Sequence, residues 1–558
     1  MLFLDIETTG LNPFKHDISL VQVMNEAGKV FLIQDLEALQ QLKQVLESNL
    51  CIGHNIKFDS KFLKHHCNIN LNQVYDTYLA ELAISGGLLA SKKGANLQSL
   101  ALKYAGIELD KAEQTGFKPN QPLTPNQIKY AVQDVQVLQT IYRQQKNKII
   151  ELDLQDTINI ENACISATVW LELSGAPVDL QRLEVLKQET LIQKQEAEER
   201  ILEYLKQGKQ SKQETLTGDI LINLNSPIQL LTALQGIGIK IKSTDDKTLS
   251  TVKHPVGQAI QEYRSANKLL TGFINKIPDH IESTTGRIHS SFNQYGTHSG
   301  RFTSSKPNMQ QQPHSQNWRG IYRSKDGMLI TADYSQIELR ILAQVSGDQA
   351  FIQAFNEGVD LHRLTASKVF DKPLGEVTTN ERNISKMVNF GIAYGMWSNG
   401  LVSRLQQAGL TISKQEAEKI INNFYAAYPQ VAKYLYGISD TGLQRLKLRN
   451  AAGRLLCFEH PQGDSQDGII KRQSKNLPIQ SLSADILKIA MANLHKQLEP
   501  QGVKLINSVH DELVFECSID QGDNVAATVK QEMEAAGRRY LTKVPCVVEI
   551  TISKEWSK

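Results

Sequence analysis

Several stretches of the chain change their hydrophobic rhythm abruptly, and the breaks fall on acidic side chains. The run Met328 to Ala332 is short and apolar, stops at Asp333, and gives way to a helical pattern through Arg340. That order predicts a strand, then a carboxylate exposed at a sheet edge, then a helix. Residues 504–516 form two β-rich runs that meet at His510-Asp511-Glu512, a hairpin with acids at its tip. At the N-terminus, Asp5 and Glu7 alternate with Leu4 and Ile6, and a period of two puts both acids on one face of a strand. Tyr130 and Asp134 lie four apart in a helical pattern continued by Val137, Leu138 and Ile141, which makes them neighbours on one helix face. From about 155 to 285 the pattern is helical and rich in glutamine and lysine, with Leu183, Leu186, Ile201 and Leu205 as inward positions. Residues 380–396 repeat a feature every four positions, Arg382, Lys386, Phe390 and Tyr394. On a helix such a row drifts by only about 40° per step, so one side is basic at its start and aromatic at its end.

These elements carry recognisable chemistry. Asp333 and Asp511 come from separate strands. Two such acids brought together hold a pair of Mg²⁺ ions about 3.5–4 Å apart, the spacing that clamps the attacking and leaving oxygens in phosphoryl transfer. Asp5, Glu7, Asp59 in Gly53-His-Asn-Ile-Lys-Phe-Asp59, and Asp134 form a second acid set, a two-metal hydrolytic site in which Tyr130 orients the attacking water. On the 380–396 helix, Lys386 meets a triphosphate, helped by Arg382, while Phe390 and Tyr394 face sugar and base. Gly391 and Gly395 allow close approach at a cost of about 1 kcal/mol each relative to Ala. The cations and rings of this helix reach Asp333 only if it closes over the site. The polar, turn-rich stretch from Gly300 to Pro313, with Asn308 in it, suits contacts to a template and primer. Two basic features stay open: Arg319 with Arg323, and Lys206, Lys209 and Lys212 around Gly208, read equally as phosphate contacts or as solvated surface.

Composition narrows the setting. At 558 residues the chain exceeds one core, and roughly 100–200 residues per domain gives three or four. The 61 basic residues nearly balance the 59 acidic ones, so any nucleic-acid surface must be local. The six cysteines form no CxxC pair, which favours reduced thiols and gives no zinc signature. The chain reaches Asp5 without a basic-then-apolar segment, and no run approaches about 18 apolar residues, so a cytosolic protein without a membrane anchor is expected.

The motifs DIETTG, GHNIKFD and YAVQD resemble the three exonuclease motifs of the DEDD proofreading family in its tyrosine-containing branch, over roughly residues 1–150. The resemblance implies an RNase H-like fold and an active 3′→5′ exonuclease, with Asn55 at the asparagine of the second motif. DYSQIELR, R-x3-K-x3-F-x3-Y-G and VHDE resemble, in order and spacing, the polymerase motifs of the bacterial DNA polymerase I family, an A-family DNA polymerase, from about 160 to Trp556. Asn225-Ser-Pro-Ile-Gln-Leu230 and Tyr263-Arg-Ser-Ala-Asn-Lys268 resemble its thumb segments.

The resemblance implies a multidomain α/β and α+β chain. Its parts would be an exonuclease domain at 1–155, a thumb at 156–285, a palm at 286–345 and 486–558, and fingers at 346–485. It makes Asp333 and Asp511 the metal-binding acids, with Glu512 supporting them. His510 would contact the primer terminus, and Glu338 would be the sugar gate. Gln336 and His362 join the nucleotide site; Phe390 implies discrimination against nucleotides lacking a 3′-hydroxyl, and Tyr394 stacks at the template position. Arg301 and Gln480 are donors for the minor groove, where every Watson–Crick pair offers acceptors, with Arg472 and Asn476 nearby. Two stretches depart from the family pattern, Gln480-Ser-Leu-Ser-Ala-Asp485, where Gln-Gly-x-Ala-Ala-Asp is usual, and Ser508, where Gln is usual.

The expected cofactor is Mg²⁺, two ions per site, with Mn²⁺ as a substitute. The expected partners are primer–template DNA and deoxynucleoside triphosphates, acting with a monomer in a bacterial or phage-infected cytoplasm. Because the chain starts at the exonuclease motif with no preceding flap-nuclease domain, a phage-type or otherwise specialised enzyme, or a processed form of a longer one, is expected.

Overall fold

A first sheet gathers the N-terminal acids. The computed structural model describes residues 1–90, 92, 94–110, 116–206 and 222–557, so Gly208, Lys209 and Lys212 lie outside the described residues. Strands β1 (Leu2–Thr8), β2 (Ile18–Asn25), β3 (Val30–Ile33), β4 (Leu50–Gly53) and β5 (Gln73–Asp76) form a sheet of order β3-β2-β1-β4-β5. The β1–β2 and β2–β3 pairs are antiparallel, and β4 and β5 join in parallel. Helix α1 (Lys57–Cys67) lies between β4 and β5, and α2 (Pro125–Glu151) begins with proline in its first turn and a Thr124/Gln127 capping box. Phe3, Leu4, Ile52, Phe62, Val135 and Leu138 close a common core beneath the sheet.

The next helix, α3 (Gln155–Ser174), is buried along most of its length because it packs between the exonuclease-like sheet and the rest of the chain. Helix α4 (Leu180–Lys206) belongs to two cores at once. Leu183 and Leu186 join the large central core, whereas Ile201 and Leu205 join a smaller one with α5 (Pro227–Gly236) and α6 (Pro255–Leu269). Here Asn225 donates through Nδ2 to the Tyr263 hydroxyl at 3.3 Å and accepts from Asn267 Nδ2 at 3.2 Å. The two thumb-like phrases therefore meet in space.

A second sheet carries the other acids. Strand β6 (Gly327–Tyr334) is followed by α7 (Ile337–Ser346), α8 (Leu361–Phe370), α9 (Thr379–Ala393), α10 (Pro429–Arg445) and the 35-residue α11 (Asp464–Leu498). The chain then enters the hairpin β7 (Lys504–Val509) and β8 (Glu512–Ser518), helix α12 (Gly522–Arg538) and β9 (Val548–Ser553). The sheet order is β7-β8-β6-β9, antiparallel throughout. Asp333 is thus at the end of a central strand and half-buried, not at the expected sheet edge. The last strand covers the side of β6 that a reading of residues 328–340 alone leaves open.

Helix α9 is also shorter than the expected 380–396. It starts from a Thr378/Glu381 capping box and ends at Ala393, because Gly395 turns to φ +69° while Met396 N–H donates back to the Gly391 carbonyl at 2.8 Å.

Candidate active sites

In the first site, β1 presents Asp5 and Glu7 on one face and α2 brings Asp134 over them. Carboxylate oxygens of the three lie within 4.8 Å of one another. Asp59, on α1, is buried at 3% exposure and interacts electrostatically with Asp5. Burial, reinforced by Asp134, pushes Asp5 up to about 8; burial with Asp5, Asp134 and Asp59 pushes Glu7 up to about 9. Burial and Asp5 likewise hold Asp59 well above the usual carboxylate range. Four crowded carboxylates cannot all ionise by themselves, so this donor set fits divalent cations, hard ions that take oxygen ligands. Tyr130, one turn from Asp134, is hydrogen-bonded to it, and burial and Asp134 raise its phenol. Asn55 adopts φ 56°, is fixed by its backbone N–H to Asp76 Oδ1 at 2.9 Å, and is exposed.

In the second site, Asp333 pairs in register with Glu512 across β6 and β8. His510 and Asp511 make the two-residue turn of the hairpin, with His510 at φ 56° and exposed. The Asp511 carbonyl accepts from Tyr334 N–H at 3.3 Å, which joins the turn to the end of β6. Asp511 therefore forms the tip with His510, while Glu512 is already the first residue of β8. Glu512 is buried at 2% exposure, accepts a hydrogen bond from Trp556 Nε1 at 2.8 Å and lies 3.7 Å from Arg319 Nη1.

That pairing overturns one reading of the arginines. Arg319 is buried, stacked 4.4 Å from the Trp556 ring centre, and Arg323 pairs with Glu555 at 3.1 Å. Their helix ends at Arg319, so they share no basic face.

Helix α9 packs against α7 and α8 and leaves Lys386 exposed and Arg382 and Phe390 half-buried, with Tyr394 just beyond its last turn. Arg382 Nε is 2.6 Å from Asp360, which also caps α8. His362 sits under α9, with Nδ1 2.9 Å from Asn389 Nδ2 and its ring 5.7 Å from Phe390; burial pushes it down to about 4, so it is neutral. Glu338, buried at 6% exposure, is clamped by Arg301 and by the Tyr394 hydroxyl. Gln336 holds the left-handed turn before α7 at φ 53°, and Asn308 accepts from the backbone of Gln310 and Gln311 at 3.0 and 3.2 Å. Arg472, Asn476 and Gln480 succeed one another at four-residue spacing on α11, the first exposed and the others half-buried.

Sequence reasoning missed the groups that hold these elements still. Lys488 and Arg454 share the fully buried Glu161 on α3, Lys488 at 2.6 Å, and Arg454 Nε also reaches Asp485 at 2.9 Å. The signal available was Asp485 and Lys488 standing three apart inside an otherwise apolar stretch of α11. Ser481, in one of the two departures, is absorbed there: it accepts from Asn450 Nδ2 at 3.1 Å and donates to the Pro478 carbonyl at 3.2 Å. Ser508 is fully buried, and its carbonyl accepts from Gln310 Nε2 at 3.1 Å.

Comparison with known proteins agrees with this geometry. Residues 186–558 match the family described as DNA polymerase family A, and residues 2–150 match a family described as 3'-5' exonuclease. The chain is 28% identical to DNA polymerase I of Aquifex aeolicus across its whole length and 96% of that protein. It is 30% identical to the Pseudomonas aeruginosa DNA polymerase I, covering 93% of this chain and 58% of the relative. It is 36% identical to the thermostable DNA polymerase I of Thermus aquaticus over 56% of this chain and 38% of that one. The chain thus spans nearly all of one relative and between about two fifths and three fifths of the other two. A solved structure, the POL domain of Pol1 from M. smegmatis in complex with DNA primer-template and dNTP, superposes with a TM-score of 0.84 at 25% identity, covering 100% of this chain and 95% of that one.

Proposed function

Starting from a chain that belongs to DNA polymerase family A and carries a 3′–5′ exonuclease domain, we propose that it extends a DNA primer at Asp333 and Asp511 and trims it at Asp5, Glu7, Asp59 and Asp134. The observation that carries this reading is the meeting of Asp333 and the Asp511 turn at one end of the second sheet, with Glu338 on the helix that follows β6 clamped by Arg301 and by Tyr394 at the end of α9, the helix that also carries Lys386 and Phe390. Asp333 and Asp511 would hold Mg²⁺, two ions per site, with Mn²⁺ able to substitute. The ions supply Lewis-acid stabilisation of the attacking and leaving oxygens.

The protein's own groups do the positioning. Lys386 and Arg382 neutralise the triphosphate, and Phe390 and Tyr394 take sugar and base. Glu338, held from both sides, fills the volume that a 2′-hydroxyl would need. Arg301, Asn476 and Gln480 present donors to minor-groove acceptors, while Arg472, Asn308 and His510 steady the template and primer strands. At the other site Tyr130 orients the hydrolytic water and Asn55 guides the frayed primer end.

In the same reading, residues 1–155 are the exonuclease domain, 156–285 the thumb, 286–345 with 486–558 the palm, and 346–485 the fingers. In this reading the protein acts as a monomer. Among the described residues no helix is long and apolar enough to cross a membrane.

Primer extension on a labelled primer–template with Mg²⁺ tests the reading. Asp333→Ala is expected to abolish extension and retain shortening, and the Asp5→Ala, Glu7→Ala double variant the reverse. Wild-type shortening without extension would refute the polymerase assignment.

A further inference from the structure

Just beyond α9, bordered by Arg472, lies a strip whose rings and buried lysine neither active site uses. Trp397 follows Gly395 by two residues and is 63% exposed, whereas Trp170, Trp318 and Trp556 are at 3%, 0% and 2%. Lys475, on α11, is itself buried and holds its Nζ 5.4 Å from the Trp397 ring centre and 5.0 Å from that of Tyr436 on α10. Tyr436 is 44% exposed and lies 5.3 Å from Tyr425, which extends the row of rings. Arg472, three residues before Lys475, is exposed and packs its stem against Gly395, where an added Cβ would meet Arg472 Cγ at 2.9 Å. The adjacent Lys471 is partly offset by Asp440 at 3.9 Å.

A lone exposed ring needs no explanation. Here, however, a buried lysine is clamped between two rings that both keep solvent-facing area, and a second cation stands on the same strip. Aromatic surface alternating with positive charge is what unpaired nucleic acid binds, by base stacking and phosphate attraction, without regard to sequence. The strip begins where Tyr394 ends the nucleotide helix, so it continues the path along which an unpaired strand would approach.

We propose that Trp397, Lys475 and Tyr436 form a stacking platform for an unpaired base of the template strand ahead of the insertion site, with Arg472 on its phosphate. The inference rests on the polymerase reading and adds a contact to the single-stranded template. Lys475 fixes the rings, and the open face of Trp397 takes the base.

Trp397 is the exposed tryptophan, so intrinsic fluorescence reports on it directly. In EDTA, which stops both reactions, a primer–template with a 5′ template overhang several nucleotides long is expected to quench the emission and shield it from acrylamide, and a blunt duplex is not. Trp397→Ala should weaken binding of the overhang DNA by roughly five- to a hundredfold, the range that a lost base stack produces. Trp397→Phe should recover most of that affinity, and Lys475→Met should lower it. The affinity of each variant for blunt duplex, expected to match wild type, shows that it is folded. Equal quenching by the blunt duplex, equal loss on both DNAs, or no loss on the overhang DNA would overturn the platform while leaving the polymerase assignment standing. Wild-type protein that binds neither DNA would overturn both.

Discussion

Glu512 shows how little a motif says about what a single side chain does. It stands next to Asp511 in the sequence and opposite Asp333 in the sheet, yet it points into the Trp556 indole N–H and the Arg319 guanidinium. In the proposed function it holds the turn that aims Asp511. Trp556→Phe keeps a ring beside Arg319 and removes the indole donor, leaving a buried carboxylate short of a hydrogen bond worth about 1.5–3 kcal/mol. Primer extension is expected to slow by about tenfold or more while primer shortening is unchanged, as separate steady-state assays would show. A variant slowed in both would place the effect in global stability. Asp333 and Asp511 were legible because each falls where a hydrophobic pattern stops. Trp556 was not, since nothing local marks a residue 44 positions away as a partner.

At the scale of elements, periodicity located α9 and the four-residue row on it, but not its end. That end depends on Gly395, whose φ of +69° and contact with Arg472 let the chain leave the helix and swing Tyr394 to Glu338. Gly395→Ala is therefore expected to destabilise the protein by about 1–2 kcal/mol in denaturant unfolding, the cost of a left-handed non-glycine residue. It should also raise the KM for deoxynucleotides, because Tyr394 and Arg472 must shift together. Unchanged stability and KM would show that the turn accommodates a side chain. The same limit explains β6: its apolar run predicts a strand, whereas its central position depends on β9, which lies more than two hundred residues later.

At the scale of the whole molecule, the exonuclease part is bolted to the polymerase part through Glu172 on α3. Lys57 and Lys61, one turn apart on α1, reach its two oxygens at 2.5 and 2.8 Å. Burial by itself would raise Glu172, but Lys57 and Lys61 outweigh it and hold the group down at about 2 against an ordinary 4.5. A carboxylate depressed by folding lends stability that is full above its unfolded value and is lost as pH falls through its folded one. Glu172→Gln, which leaves the two lysines without their counter-charge, should lower stability by about 3 kcal/mol or more near neutral pH. The gap to wild type should narrow as pH drops from about 4.5 toward 2 in thermal unfolding followed across pH. A gap constant with pH would assign the loss to packing. Because α1 also carries Asp59, this tether fixes one acid of the proposed exonuclease site to the polymerase body.

The sequence by itself determined the chemistry and the order of parts. Carboxylates at strand ends, the i,i+4 rows and the motif order depend on neighbours within a few residues, and backbone periodicity expresses such neighbours directly. Only the tertiary structure decided which strand is central, that α4 serves two cores, that Arg319 is a buried partner and not a phosphate contact, and that Glu161, Arg454, Asp485 and Lys488 lock α3 to α11. The physical reason is the same in each case. Burial and ion pairing between segments hundreds of residues apart depend on where the folded chain returns, and no local pattern of hydrophobic and polar positions records that.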